Sequence, residues 1–433
     1  MTTLRIERSV PRFAAARLAS SLGSGRGAAL GPLRLTDDEP PVLPGADWAR
    51  VDPLLSGICG SDLATVDGRS SRTFEDVVSF PFVPGHEVVG TLAAAGRSAN
   101  GSELAAGTRV VIEPVLGCVA RGIVPPCAPC AAGSTGRCEH TALGHLLPGL
   151  QTGYCADTGG GWSTAGLVAH ASQIHAVPES LDDRDAVTVE PAACALHAAC
   201  AAQLTGGEQV AVIGAGTVGL LVVAALRHLQ NAGQPAPGTL LVGARYPHQR
   251  SWARELGADA AVPADHLGRS VRRTTRSLAL GDGTRGAMRL TGGADTVVDC
   301  VGSAGSVATA LDLVRPGGRV VLTGMPGRMS VDLAPLWRRE VQLVGAYAYG
   351  TELVGDRPRP VRTFELALQM VEAARTGRLV SAVYPLERFE EALAHAGSAG
   401  RRNAVKVAFD VAAGARARAE RRGSRSGEGS TQR

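Results

Sequence analysis

Apolar and polar positions follow two different rhythms along the chain. Up to about residue 190 the apolar runs are short and bounded by glycine and proline. The stretches 48–51, 88–92 and 109–112 read as strands, with Val83-Pro84-Gly85 as a turn. From about residue 191 the pattern becomes strand, glycine turn, helix, repeated. It predicts strands over 209–213, 239–242, 296–300 and 318–322, and helices over 217–229, 249–256 and 306–314. Alternation of this kind specifies a parallel sheet with helices on both faces. Beyond about residue 350 the character is mixed again, with helices predicted over 364–376 and 389–396 and strands over 379–385 and 405–410. No repeat of solenoid length is present. From residue 412 the apolar period stops, and a disordered basic tail is expected.

A chain of 433 residues suits two domains of ordinary size, and 45% apolar against 19% charged residues excludes a disordered protein. No apolar run reaches the ~18–20 residues of a membrane span, so no membrane insertion is expected. The net charge of +4 is equalled by the tail alone, where six arginines face two glutamates, so the body is neutral and no nucleic-acid partner is expected. Of the 44 basic residues only Lys406 is lysine, which a GC-rich coding sequence explains. Nine cysteines are too few for a disulfide scaffold, and the start lacks the long apolar core of a signal peptide. A cytoplasmic protein is expected. The opening MTTLRIERSVPRFAAARLASSL is Arg-rich with one acid. It fits an organelle transit peptide, but an ordinary first strand and helix is the preferred reading.

Gly214-Ala215-Gly216-Thr217-Val218-Gly219 follows an apolar strand and opens a helix, the setting in which GxGxxG cradles a dinucleotide. Gly214 permits the turn, Gly216 the approach of a pyrophosphate, and Gly219 close packing of helix on strand. An NAD site needs an acid at the end of the next strand, yet the first acid after Gly219 is Glu255. Gly243-Ala244-Arg245 stands there instead, and an arginine fork suits a 2′-phosphate. NADP is expected over NAD, against the plainer reading of Arg245 as a solvated loop residue.

Two further constellations suit metal. Cys127-x2-Cys130-x7-Cys138, with Cys118 upstream, offers four thiolates for a closed tetrahedral zinc site, against a disulfide or four unrelated thiols. Cys59, His86, Glu87 and Glu190 offer one sulfur, one nitrogen and carboxylate oxygens, a set suited to a zinc that keeps a position open for substrate.

GICGSD, PGHEVVG, the cysteine loop, VEPAACALHA and VIGAGTVGL occur in the order found in the zinc-dependent medium-chain dehydrogenases, the alcohol dehydrogenase family, which the chain resembles over nearly its whole length. The resemblance implies an α/β protein: a Rossmann doubly wound parallel sheet inserted into a GroES-like, mainly β catalytic domain. The expected division is 1–190 catalytic, with the zinc loop at 118–138; 191–349 Rossmann; 350–411 returning to the catalytic part; and 412–433 tail. The resemblance also implies Cys59, His86 and Glu190 as catalytic zinc ligands, with Glu87 a carboxylate that enters or leaves the coordination sphere. Asp62 would orient the site, and Cys118, Cys127, Cys130 and Cys138 would hold a structural zinc. Ser61 would relay the proton, and Gly214, Gly216, Val218, Gly219, Gly243, Ala244 and Arg245 would bind NADP. A small-molecule alcohol or its carbonyl compound is the expected substrate, and a homo-oligomer, dimer or tetramer, the expected assembly.

Three departures stand out. VARGIVPP separates Cys118 from Cys127 where the family's usual loop has two residues, which makes Cys118 the least secure ligand. Ala64 stands where many relatives carry a relay histidine. The link over 263–294 is long, and the sequence alone offers no role for its Arg-rich stretch 269–276. Two rivals remain: a polyol or sugar dehydrogenase, and a non-catalytic NADP-binding protein, which loss of Cys59 or His86 would have favoured.

Overall fold

The computed structural model describes residues 1–280, 288–355 and 359–413. The tail expected to be disordered lies outside them from residue 414 onward.

Six strands form one wholly parallel sheet. Their spatial order is Ala260–Pro263, Thr239–Ala244, Gln209–Ile213, Ala294–Asp299, Val314–Leu322 and Gln342–Gly345. In chain order this is 3-2-1-4-5-6, the doubly wound arrangement, whose direction reverses beside Gln209–Ile213. Val210, Val212, Val297, Val298, Val320 and Val321 are fully buried, as a sheet covered on both faces requires. The two edge strands, Ala260–Pro263 and Gln342–Gly345, escape the sequence reading because each is only four residues long and small or polar residues and a proline weaken its strand signal. The helix predicted to begin at 249 begins at Pro247, since proline is favoured in a helix's first turn.

A second sheet is assembled from both ends of the chain. Trp48–Gly57 lies at its centre, six residues longer than predicted, between Val88–Leu92 and Lys406–Asp410. Arg109–Ile112 and Ile174–Ala176 extend one side, Val380–Pro385 the other, and Leu167–His170 pairs the first half of the central strand. The helix Val189–Ala201 links the two bodies and packs against Thr217–Asn231 and Thr363–Ala374. Nine of its residues are buried, so it has no amphipathic stripe to read.

The N-terminal segment is structured. Thr2–Ile6 pairs antiparallel with Leu33–Asp37, and Leu4 and Ile6 are buried in a cluster with Phe82, Trp162 and Phe409. Val10–Ser20 is a helix. This is the strand and helix of the preferred reading. Most of the Arg-rich stretch forms the helix Leu267–Thr275, which buries Leu267 and Val271 against the parallel sheet and turns Arg269 and Arg273 to solvent. No helix among the described residues is long and apolar enough to cross a membrane.

Candidate active site and metal centres

Sheet pairing assembles the first constellation. The N–H of Gly57 donates to the carbonyl of Glu87 (2.8 Å), which sets the His86-Glu87 pair beside the end of the central strand. Cys59 follows as the N-cap of the short helix Gly60–Val66, and its N–H donates to Asp62 Oδ2 (2.9 Å). The other oxygen of Asp62 faces His86 Nδ1 at 3.5 Å and accepts from the Tyr154 hydroxyl at 3.4 Å. The donor atoms of Cys59, His86 and Glu87 all lie within 4.8 Å of one another. Glu190, in the first turn of Val189–Ala201, lines the same cleft but lies outside that close group. Its carboxylate accepts from the Tyr349 hydroxyl at 3.2 Å and from Cys194 Sγ at 3.6 Å.

The electrostatics of this cluster are those of a cation site. Burial pushes Glu190 up to about 7, against the pull of His86, and Glu87 adds to the rise. Burial also acts to lower His86, but Asp62 and Cys59 outweigh it and hold the imidazole well above its ordinary value. Two buried carboxylates, a thiol and an imidazole crowd together here, with one buried ammonium, that of Lys406 against Glu87, beside them. Their S, N and O donors fit a zinc ion with an open position.

Ser61 lines the cleft beside Tyr154, whose phenol burial holds well above the usual range. Ala64 lines the same wall. Sequence reasoning missed Tyr154 because it lies far along the chain in a loop without a motif. The cleft measures about 1590 Å³ and is largely apolar, with Phe13, Phe74, Phe80 and Phe82 in its walls. Phe13 comes from the N-terminal helix, so that segment shapes the cavity.

The second constellation also converges. The sulfurs of Cys118, Cys127, Cys130 and Cys138 lie within 4.8 Å of one another, and all four are free thiols. Cys118 accepts from the N–H of Cys127 (3.3 Å), and Cys138 from the N–H of His140 (3.4 Å). The eight residues between Cys118 and Cys127 supply Arg121, which is fully buried and donates to the carbonyls of Leu116, Leu143, Leu146, Leu147 and Gly149. The longer loop is thus pinned from within. Four converging thiols with backbone donors fit a closed zinc site.

The glycine turn opens between these bodies. Gly214 has φ +91°, and a Cβ there would lie 2.6 Å from Val301. A Cβ on Gly219 would overlap the carbonyl oxygen of Gly214, whereas one on Gly216 meets nothing within 4 Å. That openness is what an approaching pyrophosphate needs. A crevice of about 410 Å³ has Gly216, Thr217, Arg245 and Tyr246 on one wall and Gly400 and Arg401 on the other, and no acid lines it. Val218 lines the large cleft instead, so the turn joins crevice to cleft. Gly243 and Ala244 do not line the crevice: a Cβ on Gly243 would lie 2.9 Å from Leu267, and Ala244 is fully buried. The small residues there serve helix packing, and of the three only Arg245 lines the crevice. Arg401 was not foreseen, because the return segment carries no signal of where it docks.

Residues 45–179 match the alcohol dehydrogenase GroES-like domain, and residues 217–373 match the family described as zinc-binding dehydrogenase. The chain belongs to the zinc-dependent medium-chain dehydrogenase family. Within it, the chain is 24% identical over 376 residues to a sorbitol dehydrogenase of Halalkalibacterium halodurans, covering 86% of this chain and 93% of that one. It is 28% identical to D-xylulose reductase A of Aspergillus oryzae, covering 82% and 88%. The alcohol dehydrogenase TADH of Thermus sp. ATN1 shares the fold, with a TM-score of 0.66 at 24% identity over 95% of this chain and all of that one.

Proposed function

We propose that this dehydrogenase interconverts an alcohol and its aldehyde or ketone with NADP(H), using two zinc ions per chain. Cys59, His86 and Glu190 are read as the catalytic ligands, with Glu87 beside them, and Cys118, Cys127, Cys130 and Cys138 as the structural set. When bound, zinc supplies Lewis acidity at the substrate oxygen, and NADP(H) supplies the hydride acceptor or donor. Asp62 holds the His86 ring in place through Nδ1, and Ser61 takes the proton of the substrate hydroxyl and passes it outward. The aromatic walls exclude water from the reacting carbon. Val218 lines the cleft at the end of the glycine turn, where the nicotinamide lies in this reading, and Arg245 with Arg401 receives the 2′-phosphate.

One observation carries the reading: a Cys–His–carboxylate cluster and the open end of a dinucleotide turn share a single cleft. A narrower reading, a polyol or sugar dehydrogenase, is favoured by the names of the relatives above. An oxidation screen with NADP⁺ and with NAD⁺, across small, secondary, aromatic and polyhydroxy alcohols, separates the two, and metal analysis of the same sample counts the zinc. Absence of turnover with every alcohol in zinc-loaded protein favours a non-catalytic NADP-binding protein.

A further inference from the structure

Lys406 is the only lysine among 44 basic residues, and it is 2% exposed. A coding bias toward arginine accounts for the missing lysines elsewhere. It leaves the one that remains, at a buried position, without an explanation. The sheet explains its location. Lys406–Asp410 pairs antiparallel with Trp48–Gly57, Ala408 opposite Gly57, and Ile58 N–H donates to the carbonyl of Val407 at 3.0 Å. One step further, that register sets Lys406 beside Cys59. Its ammonium forms an ion pair with Glu87 Oε2 and donates to the carbonyl of Ile58 at 3.2 Å. The pair occupies space that only a glycine leaves free: a Cβ on Gly57 would overlap the Glu87 carboxylate and lie 2.9 Å from Lys406 Cε. In so confined a slot a compact ammonium fits where a planar guanidinium needs more width.

Glu87 therefore has two calls on its carboxylate. It lies within 4.8 Å of the Cys59 and His86 donors, close enough to join them on a metal ion. It is also held by the ion pair with Lys406. A catalytic zinc needs three protein ligands and one open position, and a fourth protein ligand would fill the place of the substrate. We propose that Lys406 is a positioning residue that holds Glu87 at the margin of the catalytic metal site, in reach of the ion but not bound to it, so that Glu190 serves as the carboxylate ligand and the substrate position stays open. Gly57 belongs to the same device, because it provides the room.

The proposal rests on the metal reading of this cluster, and cobalt substitution tests the two separately. The full-length chain is loaded with Co²⁺, and the contribution of the four-sulfur site, measured in Cys59→Ser, is subtracted from the visible spectrum. Wild type taking up two equivalents supports the metal reading, and one equivalent overturns it. In Lys406→Met, the freed Glu87 should enter the coordination sphere at the open position, and the catalytic-site bands should shift as a carboxylate replaces solvent there. In Lys406→Met/Glu87→Gln they should return to the wild-type form, which a merely structural role for Lys406 does not predict. Unchanged bands in folded Lys406→Met overturn the proposal. Glu87→Gln alone decides the matter should Lys406→Met fail to fold: unchanged bands support the proposal, and a changed spectrum shows Glu87 to be a resident ligand and overturns it.

Discussion

Ser61 shares its corner of the cleft with two other hydroxyls, those of Tyr154 and Thr65, so the proton path is a question about single side chains. In the proposed reading Ser61 is the relay, accepting the substrate's proton on its oxygen as its own proton passes outward. Ser61→Ala should keep zinc and cofactor and lose roughly 10²–10⁴ in kcat, the usual worth of a positioned acid–base group. Single-turnover hydride transfer across pH checks it, and coincident profiles for wild type and variant would assign the proton to water. In the proposed reading, cofactor choice is also a matter of single residues, Arg245 foremost. Ala244 is fully buried, so a carboxylate introduced there would not reach a ribose, whereas position 245 faces the crevice. Arg245→Asp should lower kcat/KM with NADP⁺ and raise it with NAD⁺, each lost arginine–phosphate bond being worth about 1.5–3 kcal/mol. A wild-type preference for NAD⁺ would sink this reading of the strand end.

At the scale of elements, two tethers hold the irregular parts to the sheets. The cysteine loop has no sheet ladder to support it, and its fold depends on the convergence of four sulfurs and on the Arg121 clamp. Cys130→Ala should lose one zinc equivalent and become prone to unfolding or aggregation, because structural zinc contributes folding free energy directly. Zinc analysis with a melting curve measures both. The second tether joins the return segment to the first sheet. Glu113, just past Arg109–Ile112, accepts from His175 Nε2 (3.0 Å) and from Arg362 Nε (3.1 Å). Burial opposes ionisation of Glu113, but His175 and Arg362 outweigh it and hold the carboxyl below its ordinary value. A depressed carboxyl stabilises the fold at all pH above its unfolded value, and that contribution is lost as pH falls through the folded value. Arg362→Met should cost roughly 3 kcal/mol near neutrality, as breaking a buried pair does, and move acid unfolding to higher pH. Urea melts from pH 3 to 8 test it, and parallel pH profiles for the two proteins would show that Glu113 does not depend on Arg362.

Across the whole molecule, the candidate cofactor path runs from Arg245 and Arg401 in the crevice, past Gly216, to Val218 in the cleft, and so touches both sheets. A ligand that bridges the two should stabilise them together. At a hundredfold excess over Kd the gain is about 2.7 kcal/mol. NADPH should therefore raise the melting temperature more than NADH at equal concentration, and a larger shift with NADH would remove the case for Arg245 and Arg401 as a phosphate site.

Local pattern was enough to give four strands of the parallel sheet, the glycine turn and the four-cysteine loop, because each is written in contiguous or closely spaced residues: Val210 to Gly219, or Cys127, Cys130 and Cys138. The scattered set Cys59, His86, Glu87 and Glu190 was legible only through the resemblance to a family. The helix Val189–Ala201 was illegible because an element buried on all sides has no period. The N-terminal segment stayed ambiguous until Leu4 and Ile6 had a core to enter. What only the tertiary structure decided are the pairings across hundreds of residues: Lys406 against Glu87, Arg362 against Glu113, Arg401 opposite Arg245, Tyr349 on Glu190. Each joins a residue late in the chain to one far earlier, and no local spacing encodes such a contact. Strand register and helix packing set it, and these exist only once the apolar surfaces of distant segments have found one another.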